Sequence, residues 1–217
     1  MKHPSFVNAE FYHIYNRGVD RRKIFSDQYD LQRFFQSMDE FNVIEPIGSI
    51  YESAFLGQSI KLKRKRRRLV NFVSYCLNPN HFHFLVQQVY TGGVSELMKR
   101  LLGGYTWYFN KKHNRAGSLF QGTFKAKHIN SNEYLLHLSA YVNLNHRAHQ
   151  LGGLTAKLHK SSWHEYIVKN NEGFCKNKII LDQFRNQYEY EEFAESSLRD
   201  IVERKRRDEE FSELLLE

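Results

Sequence analysis

Two histidines separated by one residue, His81 and His83, are the first candidates for chemistry in this sequence. They lie in HFHFLVQQV (81–89), a β-branched and aromatic run that reads as a strand. In a strand, residues i and i+2 point to the same face, so the two imidazoles project together while Phe82 and Phe84 face the opposite side. Two imidazoles on one face make half of a divalent-metal site. A bare His-x-His is also common by chance among 11 histidines, and a surface or core-edge pair is its ordinary explanation. The second candidate is a tyrosine helix. Over 132–146, Tyr134, His137, Tyr141 and Asn145 are spaced three, four and four apart and share a face. A free phenol has a pKa near ~10, so it attacks at neutral pH only beside a base or a metal that polarises its target. Either tyrosine alone reads equally as a half-buried aromatic with a wet hydroxyl, and the helix face does not separate Tyr134 from Tyr141.

The elements that must position these groups follow from the same patterning. FYHIYN (11–16), bounded by Arg17-Gly18, predicts a first strand. Ser26 or Asp27 caps a helix to about Phe41, with Leu31, Phe34, Phe35 and Met38 at helical spacing. VNFVSYCL (70–77) and the strand from His81 flank the turn signal Asn78-Pro79-Asn80 and predict a hairpin. After Gly92-Gly93 a helix is expected over 94–112, then a strand over 118–129, then the 132–146 helix capped by Ser131. Strand, helix, strand, strand, helix, strand, helix is the split βαβ order of ferredoxin-like α+β domains with an antiparallel sheet. A boundary near Gly152-Gly153 separates a catalytic domain, 1–152, from a mainly helical extension, 153–217.

Composition narrows the partners. The 217 residues carry a net charge of +8, which favours a polyanion, nucleic acid before membrane. No apolar run approaches the ~20 residues that span a bilayer, and the first residues lack an apolar signal core. Cys76 and Cys175 are too few for a disulfide framework, so a cytoplasmic protein is expected. Within an insertion at about 43–68, KLKRKRRR (61–68) holds seven basic residues in eight positions. It reads either as a solvated charge run or as a phosphate-tracking segment. Arg66, Arg67 and Arg68 are its nucleic-acid candidates, with Arg17, Lys125 and Lys127 extending the surface, and Arg21 and Arg22 beside them. Tyr105, Trp107 and Phe120 could stack on bases, although core packing is their default.

Taken in order, YHIYNRG (12–18), NPNHFHFLV (78–86), GSLFQGTFKAKHI (117–129), EYLLHLSAYVNLNHRAH (133–149) and SSWHEY (161–166) resemble the REP-associated tyrosine transposases of the HUH single-tyrosine family. The resemblance covers roughly 10–195. It implies the HUH fold and single-stranded DNA cleavage and transfer near hairpins. It further implies a divalent ion, Mg or Mn, held by His81 and His83 with Asn145 as third ligand, and no nucleotide cofactor. The stretch Tyr141-Val142-Asn143-Leu144-Asn145 matches the family's nucleophile segment, which selects Tyr141 over Tyr134. The family usually continues with Asn-Pro, whereas here Asn145 precedes His146. Two other readings compete. One is a non-catalytic nucleic-acid-binding protein of the same fold, which would need neither the histidines nor Tyr141. The other is a histidine-triad phosphohydrolase, which wants a third histidine where Leu85 stands. The sequence does not choose between monomer and homodimer.

Overall fold

The computed structural model describes residues 4–45, 47–48, 50, 67–148, 158–168 and 173–214, the last eleven as backbone only. The start of the basic run, including Arg66, and the Gly152-Gly153 boundary lie outside the described residues.

Strand β1 (Phe11–Arg17) is followed by helix α1 (Gln28–Glu40), the hairpin β2 (Val70–Asn78) and β3 (His81–Gln88), helix α2 (Gly93–Lys112), strand β4 (Lys125–Ile129) and helix α3 (Asn132–Asn143). A helical turn α4 (Asn145–Ala148), a two-residue strand β5 (Lys160–Ser161) and helices α5 (Trp163–Ile167), α6 (Lys178–Leu181) and α7 (Gln187–Leu214) complete the described chain. The sheet order is β4-β1-β3-β2-β5, antiparallel throughout. This is the expected α+β split βαβ arrangement with one added edge strand, and the helical C-terminal region is present.

Strand alternation divides the sheet into two faces. On one, Tyr12, Ile14, Phe72, Tyr75, Leu77, Phe82 and Phe84 pack against Leu31, Phe34 and Met38 of α1 and Leu97, Leu101 and Tyr105 of α2. On the other, Val73, Cys76, Leu85 and Ile129 pack against Leu135, Leu138 and Val142 of α3 and against Tyr166, Ile180, Tyr190 and Ala194 from the C-terminal helices. Helices α5, α6 and α7 therefore supply one side of the second core. A bulge between Phe72 and Ser74 shifts the register of β2, after which Ser74, Cys76 and Asn78 stand opposite Leu85, His83 and His81.

Local chemistry sets the starts of α1, α2 and α3. Asp27 caps α1, its side chain accepting from the Asp30 amide at 2.9 Å. Ser131 caps α3 by accepting from the Tyr134 amide at 3.2 Å. At Gly93 a Cβ would lie 2.3 Å from the Leu69 carbonyl oxygen, so only glycine lets α2 begin this close to the sheet.

Two boundaries differ from the sequence reading. The strand expected over 118–129 forms only from Lys125, because Gly122 adopts φ +66° and turns the chain after an isolated bridge between Gly18 and Phe120. The helix expected to reach 146 stops at Asn143. The Asn143 side chain donates to Tyr190 Oη at 2.9 Å and accepts from Ser162 Oγ at 2.6 Å. These tertiary bonds hold the helix end in place without a proline.

Candidate active site

His81 and His83 stand on the same face of β3, beside α3, with ring centroids 5.3 Å apart. Phe82 and Phe84 are fully buried on the opposite face. The Nδ1 of His81 lies 2.7 Å from Asn80 Oδ1. A carbonyl oxygen only accepts, so Nδ1 carries the proton and Nε2 keeps a lone pair. That Nε2 sits 3.0 Å from Asn145 Oδ1, while Asn78 Nδ2 donates to both, at 2.9 Å and 2.7 Å. Asn145 is buried, and its own Nδ2 has no hydrogen-bond partner among the described residues. An imidazole lone pair and an amide oxygen meeting at 3.0 Å are donors suited to a divalent cation. Among the described residues no group of three or more His, Cys, Asp or Glu side chains could hold a metal; the groups here with donor chemistry of the right kind are the two imidazoles and the Asn145 amide oxygen.

His83 has a neighbour that the motif analysis missed. Its Nδ1 lies 2.8 Å from Nε2 of His13, on the adjacent strand. Both side chains are 8% exposed. Burial, then the charge of Lys127, lowers the His13 pKa to about 4, so this ring is neutral at pH 7. Tyr15 stacks on both rings, at 4.9 Å from His13 and 5.5 Å from His83. The i, i+2 alternation of His13 and Tyr15 was visible in the sequence, but the pairing of β1 with β3 was not.

Tyr141 meets His83 edge-on at 5.5 Å and His13 edge-on at 6.3 Å. Burial raises its pKa, and the neighbouring Asn145 side chain opposes that rise. The ring lines a groove of about 690 Å³ together with Tyr15, Arg17, His81, His83 and Lys125. It also forms part of the wall of a second cavity, of about 600 Å³, between α3 and α7. Tyr134 lines that second cavity and not the groove, under the Lys127 ammonium at 4.6 Å. The geometry thus separates two tyrosines that the helix face could not: of Tyr134 and Tyr141, the second shares the groove with both histidines of the motif, as Tyr15 of β1 also does.

The basic candidates divide similarly. Arg17 and Lys125 line the groove, and the Arg17 side chain donates to Gln121. Lys127 leans toward the second cavity. Arg67 and Arg68 precede the far end of β2, roughly 25 Å from Asn78 at the usual rise per strand residue. There Arg67 pairs with Glu45 at 2.8 Å and Arg68 with Asp39 at 2.7 Å. Trp107 is exposed on α2, whereas Tyr105 and Phe120 are core residues.

Comparison with known proteins bears on residues 53–145, which match the family described as transposase IS200-like. By sequence, this stretch is IS200-transposase-like. The match bears out the resemblance read from the motifs. The IS200-like stretch includes His81, His83, Tyr141 and Asn145 and ends on Asn145 itself; His13, Tyr15 and Arg17 on β1 lie outside it. Among solved structures, a REP-associated tyrosine transposase bound to a REP hairpin aligns at TM-score 0.49 and 13% identity, over 81% of this chain and 89% of that one. A tRNA(His) guanylyltransferase from Saccharomyces cerevisiae aligns at TM-score 0.38 and 7% identity, over 93% of this chain and 80% of that one. No curated protein matches the sequence.

Proposed function

We propose that this protein cleaves and rejoins single-stranded DNA by transesterification, with Tyr141 as nucleophile. The observation that carries the reading is the meeting, in one groove, of Tyr141, His81 and His83, with the buried Asn145 amide oxygen 3.0 Å behind His81 Nε2, within a segment that is IS200-transposase-like. The Tyr141 oxygen attacks the scissile phosphorus, the bond from phosphorus to the 3′ oxygen breaks, and the phenolic proton ends on the departing 3′-OH. A 5′-phosphotyrosine results. Attack by a 3′-OH reverses the step and restores the phenol, so one ester replaces another and no nucleotide cofactor is consumed.

His81, His83 and Asn145 would hold a divalent ion, Mg or Mn, which supplies Lewis-acid polarisation of the phosphate when bound. Asn80 keeps the His81 proton on Nδ1 and so leaves Nε2 available as a donor. Arg17 and Lys125 lie where they would contact backbone phosphates along the groove. Burial raises the Tyr141 pKa, so the phenol needs its phosphate target polarised before it attacks. A paired duplex resists the exposure and distortion of one phosphate that this geometry needs. Single-stranded DNA beside a short stem is therefore the proposed substrate.

The test is incubation with labelled single-stranded hairpin DNA and Mn, followed by a denaturing gel. A covalent adduct is expected with the natural chain, with Tyr134→Phe and with Tyr15→Phe, and none with Tyr141→Phe. An adduct that survives Tyr141→Phe and disappears with Tyr134→Phe or Tyr15→Phe would transfer the nucleophile to that residue. No adduct under any condition, with hairpin binding retained, would favour a binding protein of the same fold.

A further inference from the structure

We propose that His13 is a positioning residue for His83, accepting a hydrogen bond from His83 Nδ1 so that the Nε2 lone pair is the one presented to the groove. The inference rests on the metal reading above and extends it to a strand outside the IS200-like match. Three observations carry it. The two ring nitrogens are 2.8 Å apart and buried, so one proton lies between them and its placement decides which tautomer each ring adopts. With His83 donating, its remaining nitrogen is a lone pair. With His13 donating, that nitrogen carries a proton and cannot ligate.

The rings are also held in place. His13, Tyr15 and His83 lie nearly parallel, with interplanar angles of 29°, 17° and 21°, and Tyr141 closes the stack edge-on against both histidines. The strand register places His13 diagonally across from His83 on the same face, with Tyr15 directly opposite His83. Finally, His81 shows the same logic with a different acceptor, its Nδ1 facing Asn80 Oδ1. Each candidate ligand thus has an acceptor at Nδ1 and directs Nε2 away from it, the usual arrangement for metal-ligating histidines.

The experiment measures Mn binding to the full chain by calorimetry and the His83 tautomer by ¹⁵N NMR without metal, for the natural protein, His13→Gln and His13→Leu. Glutamine retains an acceptor oxygen and leucine does not. The natural chain and His13→Gln should show a protonated His83 Nδ1 and Mn affinities within a few-fold of each other. His13→Leu should lose the single tautomer and bind Mn about 10–100-fold more weakly, with hairpin DNA affinity in the absence of metal unchanged. Equal Mn affinity and tautomer in all three, or an equal loss in Gln and Leu, would overturn the inference and leave His13 a packing residue. If the natural chain binds no Mn, the metal reading fails by itself. The tautomer then still decides the role of His13: a proton on Nε2 of His83 overturns it, and a proton on Nδ1 that disappears only in His13→Leu supports it.

Discussion

Toward α1 and α2, β3 presents Phe82 and Phe84; toward α3 it presents His81 and His83. Around the phenylalanines lie Phe34, Phe72 and Tyr105, ring against ring at 4.5–6.4 Å. Around the histidines lie His13, Asn78, Asn80 and Asn145, joined by hydrogen bonds of 2.7–2.9 Å. Neither face could exist alone. The aromatic face contributes non-directional burial, on the order of 2–3 kcal/mol per fully buried side chain. Its close packing fixes the backbone that aims the polar side chains. The polar face contributes little net stability, because each bond there replaces one to water.

The sharpest way to break the comparison is to alter one residue on each side of β3. His81→Ala should slow adduct formation by roughly a thousandfold or more, the equivalent of about 4 kcal/mol at the transition state. Its melting temperature should stay within a few degrees of the natural chain. Single-turnover kinetics and calorimetry read the two effects. Phe84→Ala should do the reverse, costing about 3–5 kcal/mol in urea unfolding while the folded fraction keeps its rate at low temperature. If Phe84→Ala lowered the rate per folded molecule as much as His81→Ala does, the division of labour between the faces would be wrong.

Acid tests the polar face through its histidines. The pKa of His13 is lowered to about 4 by burial and Lys127, and that of His146 to about 4 by burial and then His159 and Arg147. Between about 6.5 and 4 the unfolded chain binds protons that the folded chain refuses. Stability should therefore be fully present above pH 6.5 and fall as pH drops toward 4, with His13 contributing on the order of 3 kcal/mol. His13→Gln should flatten that part of the stability–pH curve.

Smaller effects sharpen the contrast. Tyr105 Oη donates to the buried Ile24 carbonyl at 2.6 Å, so Tyr105→Phe should cost about 1–2 kcal/mol and leave cleavage unaffected. Arg67 and Arg68 make exposed ion pairs at the far end of β2, and replacing both with Ala should cost below about 1 kcal/mol. If the basic run tracks phosphate, adding Arg66→Ala should flatten the salt dependence of single-strand binding, by about 0.7 in slope per lost contact. An unchanged slope would make the run a solvated loop.

Much of this arrangement was legible in the sequence, because strict alternation and capping are local signals. The opposed faces of β3 followed from His-Phe-His-Phe alone, and Asp27 and Ser131 marked their helices. What stayed hidden depends on residues far apart in the chain. The stop of α3 at Asn143 is set by Ser162 and Tyr190, and the start of β4 by a left-handed glycine inside an otherwise strand-like run. His13 reaches His83 through a register between β1 and β3 that no spacing within either strand encodes. Asn78 looked like turn chemistry and is instead the donor that bridges His81 and Asn145.

The bulge in β2 has a consequence for parity. Before it, Phe72 belongs to the aromatic core; after it, Tyr75 and Leu77 do, an odd offset that an unbroken strand could not give. The extra residue inverts every later position, and by that inversion Cys76 and Asn78 come to stand beside the histidines. Were the strand to continue from Phe72 in strict alternation without the bulge, the two sets would exchange. Leu77 would then sit across from His81, and Asn78 would turn away from Asn145. A single backbone count, with no change in any side chain of the groove, decides whether its donors are joined by an amide or walled off by a leucine.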